Sequence, residues 1–293
     1  MMKTTLLPTL LVFCGLLTAC ETDMLSEGRS ELVVEGWIGH GEFPVVMLTR
    51  TMPVNQHYQH PDSLANYLLR WATVRISDGS DTVTLTGRYD KGYFPPYVYT
   101  TGRMRGRSGQ TYTLTVDVDD FHATATTTVP PVAQVEACSV QPVQGNDSLF
   151  LAKVRLHDDP TQRNFYQLFT RTGSTSQQFL AAYQGSLSDE VMAEVSEVPV
   201  YQGRRLGTGR NYTPYFVRGD SVAIKVTQVD AEAFRFWDAY CTMQAESGNA
   251  FVASPTNLPG NVTGAYGCWY GLAATMCYFV TGSADPPLIV GHE

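Results

Sequence analysis

Alternation is the feature that most constrains this chain. Ala72-Thr73-Val74-Arg75-Ile76-Ser77 and Thr82-Val83-Thr84-Leu85-Thr86 each place apolar and polar residues at every second position, with Asp78-Gly79 between them. Period two is the signature of a strand with one buried face, and a Gly at the turn accepts the positive φ that a tight hairpin requires. The pattern repeats around Asp119-Asp120, with Tyr112-Thr113-Leu114-Thr115-Val116 before it and His122-Ala123-Thr124-Ala125-Thr126 after it. Leu32-Val33-Val34 and Val45–Thr49 add two earlier strands rich in β-formers. Short strands with frequent turns predict an immunoglobulin-like β-sandwich over residues 31–131. Pro130-Pro131 ends the run, because proline cannot donate to a sheet ladder, and a domain boundary is expected there.

The second half is also β-rich. Leu149–Leu156 alternates, Asn164–Thr170 follows a turn at Asp158-Asp159-Pro160, and Ser221–Val226 reads as a further strand. One helix is expected near residues 230–245, with Asp230 as N-cap and Phe234, Trp237 and Cys241 on a shared face. Residues 248–271 read as loop with one short strand near Tyr266, before a last strand at Met276–Val280. The expected fold is thus mainly β: the sandwich, then a second β-rich domain over 132–293 with one packed helix.

The N-terminus carries an address. Lys3, an apolar run from Leu6 to Leu17, and Leu17-Thr18-Ala19-Cys20 compose a lipoprotein signal, too short for a spanning helix. Cleavage before Cys20 would remove residues 1–19 and leave Cys20 to carry lipid, followed by a tether over residues 20–30. Acyl chains contribute about 0.8 kcal/mol per buried methylene, so several on one cysteine anchor firmly. The remaining 274 residues (293 − 19) suffice for two cores. Hydrophobic residues at 43% against 16% charged argue for folded material throughout. Loss of Lys3 moves the net charge from −8 to −9, which argues against nucleic acid as a partner.

Four cysteines remain for the folded part: Cys138, Cys241, Cys268 and Cys277. Three connectivities are open; the reading leans to Cys268 with Cys277 and Cys138 with Cys241, with free buried thiols as the alternative. None of the four has zinc-site spacing.

Behind the lipoprotein cysteine, the chain carries in order Leu32–Ile38, Ala72–Asp78, Gly109–Val116, Thr128–Pro131, Asn164–Tyr166, Gly219–Val222, Ser254–Val262 and Gly264–Gly267. The order of these motifs resembles the DUF4249 family of Bacteroidota lipoproteins. Cys268 and Cys277 depart from the family's pattern. The resemblance implies an outer-membrane lipoprotein that acts as an accessory of a TonB-dependent transport system, with a β-barrel receptor as its partner.

Catalytic motifs are scarce. No Gly-x-Ser-x-Gly turn or His-Glu-x-x-His occurs. His57, His60 and Asp62 are the best metal-like trio, but Pro61 places them in a solvated insertion; Asp117, Asp119 and Asp120 read as a hairpin turn rather than a calcium loop. No cofactor or metal is expected. The aromatic stretch Tyr93, Phe94, Tyr97 and Tyr99, interrupted by Pro95-Pro96, is the candidate ligand or partner surface. The expected function is non-enzymatic binding or assembly. A surface hydrolase acting on peptide or glycan, or a stand-alone adhesin, is the alternative.

Overall fold

The computed structural model describes residues 30–51, 66–173, 178–204, 212–246 and 258–291. Among them are seventeen strands and one α-helix, so the protein is mainly β. The predicted hairpins are present. β3 (Thr73–Ser77) pairs with β4 (Thr82–Thr84), and the turn between them has Gly79 at φ 90°. β7 (Thr111–Val118) pairs with β8 (Phe121–Thr128) around Asp119 at φ 49°. Together they make a four-stranded sheet in the order β4-β3-β7-β8.

A nine-stranded sheet dominates the molecule. β1 (Leu32–Gly39) and β2 (Val45–Arg50) are antiparallel, and β6 (Tyr97–Thr100) and β5 (Thr86–Tyr89) extend them to one edge. On its other side β1 runs parallel to the first half of β16 (Tyr266–Val280). The second half of β16 pairs with β15 (Ser221–Val229), which leads through β11 (Phe165–Thr172) to β12 (Leu180–Ser188). β17 (Leu288–Gly291) pairs with residues 275–278 of β16, past the end of β1. A third sheet holds β9 (Gln134–Val143), β10 (Asn146–His157), β13 (Val195–Val200) and β14 (Phe216–Val217).

β16 differs from its prediction. The short strand near Tyr266 and the last strand at Met276–Val280 are one fifteen-residue strand. The Pro130-Pro131 connector does lie between β8 and β9, but the nine-stranded sheet draws strands from both sides of it.

Two sandwiches share this long sheet. Leu32, Val34, Ile38, Val46 and Leu48 meet Val74, Ile76, Leu114 and Val116 of the β4-β3-β7-β8 sheet. Trp269 of β16 completes that core; it is fully buried and donates its Nε1–H to the Tyr112 carbonyl at 3.2 Å. Gly36 lies opposite it in register, and a Cβ there would stand 3.0 Å from the indole. The second core joins Phe150, Ala152, Val154 and Leu156 of β10 to Leu168, Ile224, Val226 and Cys277.

The opposite face of the nine-stranded sheet carries the helix, α1 (Ala231–Glu246), where it was expected. Asp230 caps it, accepting from the Ala233 N–H at 2.8 Å. Ala233, Trp237 and Cys241 pack on Phe169, Cys268, Tyr270, Leu272 and Ala274. The half of this face formed by β1 and β2 lies beyond α1.

Candidate functional site

Parity on β1 decides which residues meet that uncovered half. Leu32, Val34, Gly36 and Ile38 point into the first sandwich, so Val33, Glu35 and Trp37 point the other way. On β16 the same alternation turns Trp269 into the sandwich and Cys268 and Tyr270 to the helix side. On β2 it turns out Val45 and Met47, which pack with Val98, Trp37 and Tyr93. These side chains floor a cleft of about 2120 Å³. Phe236, Trp237 and Tyr240 of α1 form one wall, Tyr93 and Phe94 the opposite wall, and Phe169 and Phe179 an end. That volume exceeds the 300–1,000 Å³ of a typical small-molecule pocket, leaving room for an extended ligand.

The aromatic rings form a connected set. Trp37 lies 6.2 Å from Tyr270 at 27°, and 6.0 Å from Tyr93. Trp237 stands edge-on to Tyr270 at 5.9 Å and to Tyr240 at 5.5 Å. The rim is charged. Lys225 pairs with Glu42 at 3.3 Å, Arg88 with Asp90 at 3.1 Å, Arg105 covers the Phe43 ring at 3.8 Å, and Arg171 covers Phe179 at 4.8 Å.

Glu35 is the one ionisable group of β1 at the centre of the floor. It is partly buried, lies between Cys268 and Met47 in register, and makes no hydrogen bond or ion pair among the described residues. Loss of water around it raises its carboxyl from the usual value near 4.5 to about 7. Its charge in turn helps to raise Tyr240 and Tyr270, whose larger cause is their own burial.

The predicted aromatic surface divides in two. Tyr93 and Phe94 line the cleft, and Phe94 is 50% exposed. Tyr99 is 2% exposed and belongs to the sandwich core, donating to the Leu69 carbonyl at 2.8 Å; Tyr97 packs edge-on against it and donates to the Arg70 carbonyl. These two are therefore structural, because β6 alternates and sends their rings to the first core while Val98 faces the cleft side.

The cysteine pairings are corrected as well. Cys268 and Cys277 lie on one strand nine positions apart, roughly 30 Å, whereas a disulfide needs Cα atoms within about 7 Å. Cys138 and Cys241 belong to cores on opposite faces of the nine-stranded sheet. The neighbours are Cys138 and Cys277, free thiols joined by a hydrogen bond across the second core. Cys20, and the trio His57, His60 and Asp62, lie outside the described residues. Asp117 is held by Arg75 and His122, and Asp119 by Arg50. Among the described residues no cluster of His, Cys, Asp and Glu could hold a metal ion.

The sequence reading placed Trp237 on the packed face of the helix and Glu35 and Trp37 in the Leu32–Ile38 motif, but assigned none of Glu35, Trp37, Trp237 and Tyr270 to a site. Glu35 and Trp37 occupy alternate positions of an ordinary strand, which read as solvent-facing until α1 and the Tyr93 segment are seen to wall them in.

Two sandwiches joined through one sheet, with an aromatic cleft on its other face, define a β-rich protein built to present a concave surface. The chain belongs to the family DUF4249, described as a domain of unknown function, whose model matches residues 19–276. No curated protein matches the chain.

Proposed function

We propose that this is a lipid-anchored outer-membrane protein that binds a ligand in the aromatic cleft and serves as a non-enzymatic binding or assembly accessory of a TonB-dependent transport system. The observation that carries the binding reading is the cleft: rigid Trp and Tyr rings supply large contact area at low entropic cost. The Leu17–Cys20 motif supports the anchor. Among the described residues no helix is long and apolar enough to cross a membrane. Affinity purification from detergent-solubilised outer membrane is the test. A β-barrel receptor should co-elute with the protein, and its reproducible absence would remove the transport role.

One observation favours a second reading. A carboxyl poised near pH 7 inside a cleft is what general acid–base catalysis requires, so Glu35 is the residue on which a surface hydrolase would depend. Glu35→Gln should then abolish hydrolysis of peptide or glycan. Equal turnover by the variant and the parent would dispose of this alternative.

A further inference from the structure

The floor of the cleft breaks its own pattern. Around Glu35, the outward positions of β1 and β2 are Val33, Trp37, Val45 and Met47, and a further apolar residue would complete this surface. A partly buried carboxylate without a partner costs free energy that an apolar residue would not, so the fold gains nothing from it. Among the described residues, the groups facing it offer no compensating charge. β16 brings Cys268 and Tyr270, α1 brings Tyr240, and β2 brings Met47. The nearby Lys225 ammonium is already engaged by Glu42.

What surrounds the carboxylate is aromatic. Trp37 adjoins it on the same face of β1, Tyr270 stacks on Trp37, and Tyr240 approaches from the helix. Ring faces carry negative potential, and a cation placed over them is attracted, more strongly where water is excluded. Carboxylate and rings thus present the same sign to one space. An anion is repelled there, whereas an alkylammonium finds both a counter-charge and an apolar cage for its methyl or methylene groups.

We propose that the cleft floor is a binding site for an organic cation, with an alkylammonium group seated between the Glu35 carboxylate and the rings of Trp37 and Tyr240, Trp37 being backed by the buried Tyr270. This rests on the reading of the cleft as the ligand site and names the chemistry it selects.

Choline, and 3,3-dimethylbutan-1-ol as its uncharged isostere, serve as probes, because they share shape and differ in charge. The full chain, in a maltoside detergent free of phosphocholine heads, is titrated with each while tryptophan fluorescence is followed. Trp37 and Trp237 report directly on the site. Choline should give a saturable change, and the alcohol should bind at least about tenfold more weakly. Glu35→Gln should weaken choline by a similar factor with the near-ultraviolet circular dichroism unchanged. Tyr240→Leu, on the separate helix, should weaken it too and stands in if the first variant fails to fold. Equal binding of choline and the alcohol would overturn the cation assignment while leaving the cleft a binding site. No saturable change with either probe would overturn both. Co-elution of a receptor is independent of all these outcomes.

Discussion

Glu35 ties the stability of the molecule to pH through a single side chain. The unfolded chain releases this proton near pH 4.5 and the folded chain near 7, so between those values the folded state holds more protons. Stability from this group is therefore fully present below about pH 4.5 and is lost as pH rises through 7. Glu35→Gln should gain on the parent as pH is raised from about 5 to about 8, by on the order of 1–3 kcal/mol. Cys268, Tyr240 and Tyr270 beside it are all raised above their usual values and stay neutral across that window. Paired urea titrations at the two pH values check this; a difference that does not move with pH would contradict it. The thiols make a second prediction at this scale. Cys138 is partly exposed and accepts a hydrogen bond from Cys277, which lowers its pKa. Burial pushes Cys241 up to about 11 and raises Cys268 further, and Cys277 rises because it donates to Cys138. Iodoacetamide on the native reduced protein should therefore label Cys138 ahead of the other three, as read by peptide mass spectrometry.

Among the elements, α1 is tied to the sheet system at its first residue. Asp230 caps the helix with one oxygen and accepts from the Thr127 hydroxyl of β8 with the other, at 2.7 Å. That hydroxyl in turn accepts from the Gly271 N–H of β16 at 2.7 Å. Asp230→Ala removes the cap and strands a buried hydroxyl, and should cost about 2–3 kcal/mol in chemical denaturation. Asp230→Asn keeps one acceptor for the Ala233 N–H and turns the other position into an amide donor toward the Thr127 hydroxyl, so it should recover the cap and part of that loss. The cap was legible in sequence because capping chemistry is local. β16 was not, for a physical reason: most of its length is buried on both faces, so it shows no alternation. Gly267 and Gly271 then read as loop punctuation. In the structure they allow close approach instead. Gly267 has φ 113°, and a Cβ on it would lie 1.8 Å from the Val34 carbonyl oxygen. Asn261 escaped notice for a similar reason. Its side-chain amide bonds both the N–H and the carbonyl of Trp269, at 2.9 and 2.7 Å, replacing a neighbouring strand.

Over the whole molecule, the alternating strands made the β class and the first sandwich readable, since each hairpin declares its own buried face. The cleft was not readable, because its floor and its two walls come from β1, α1 and the Tyr93 segment, which no local pattern connects. The same separation binds the two halves together. Residues 30–131 expressed alone lack Trp269, the largest side chain of their core, and β16, the strand that pairs with β1 on the side away from β2. This fragment should fail to give dispersed amide resonances, whereas a chain carrying both halves should give them. Removing the indole alone, as Trp269→Ala, should cost about 3–5 kcal/mol.

Gly36 and Trp269, neighbours in space, are more than two hundred residues apart in the chain. Contacts of such long sequence separation require closing a very large loop and slow the search for the native state. During synthesis the edge of β1 stays unpaired and the notch at Gly36 stays empty until almost the last strand arrives. Commitment to the folded state therefore comes late and from the C-terminal end, and a chain halted before β16 carries an open sheet edge with no partner of its own.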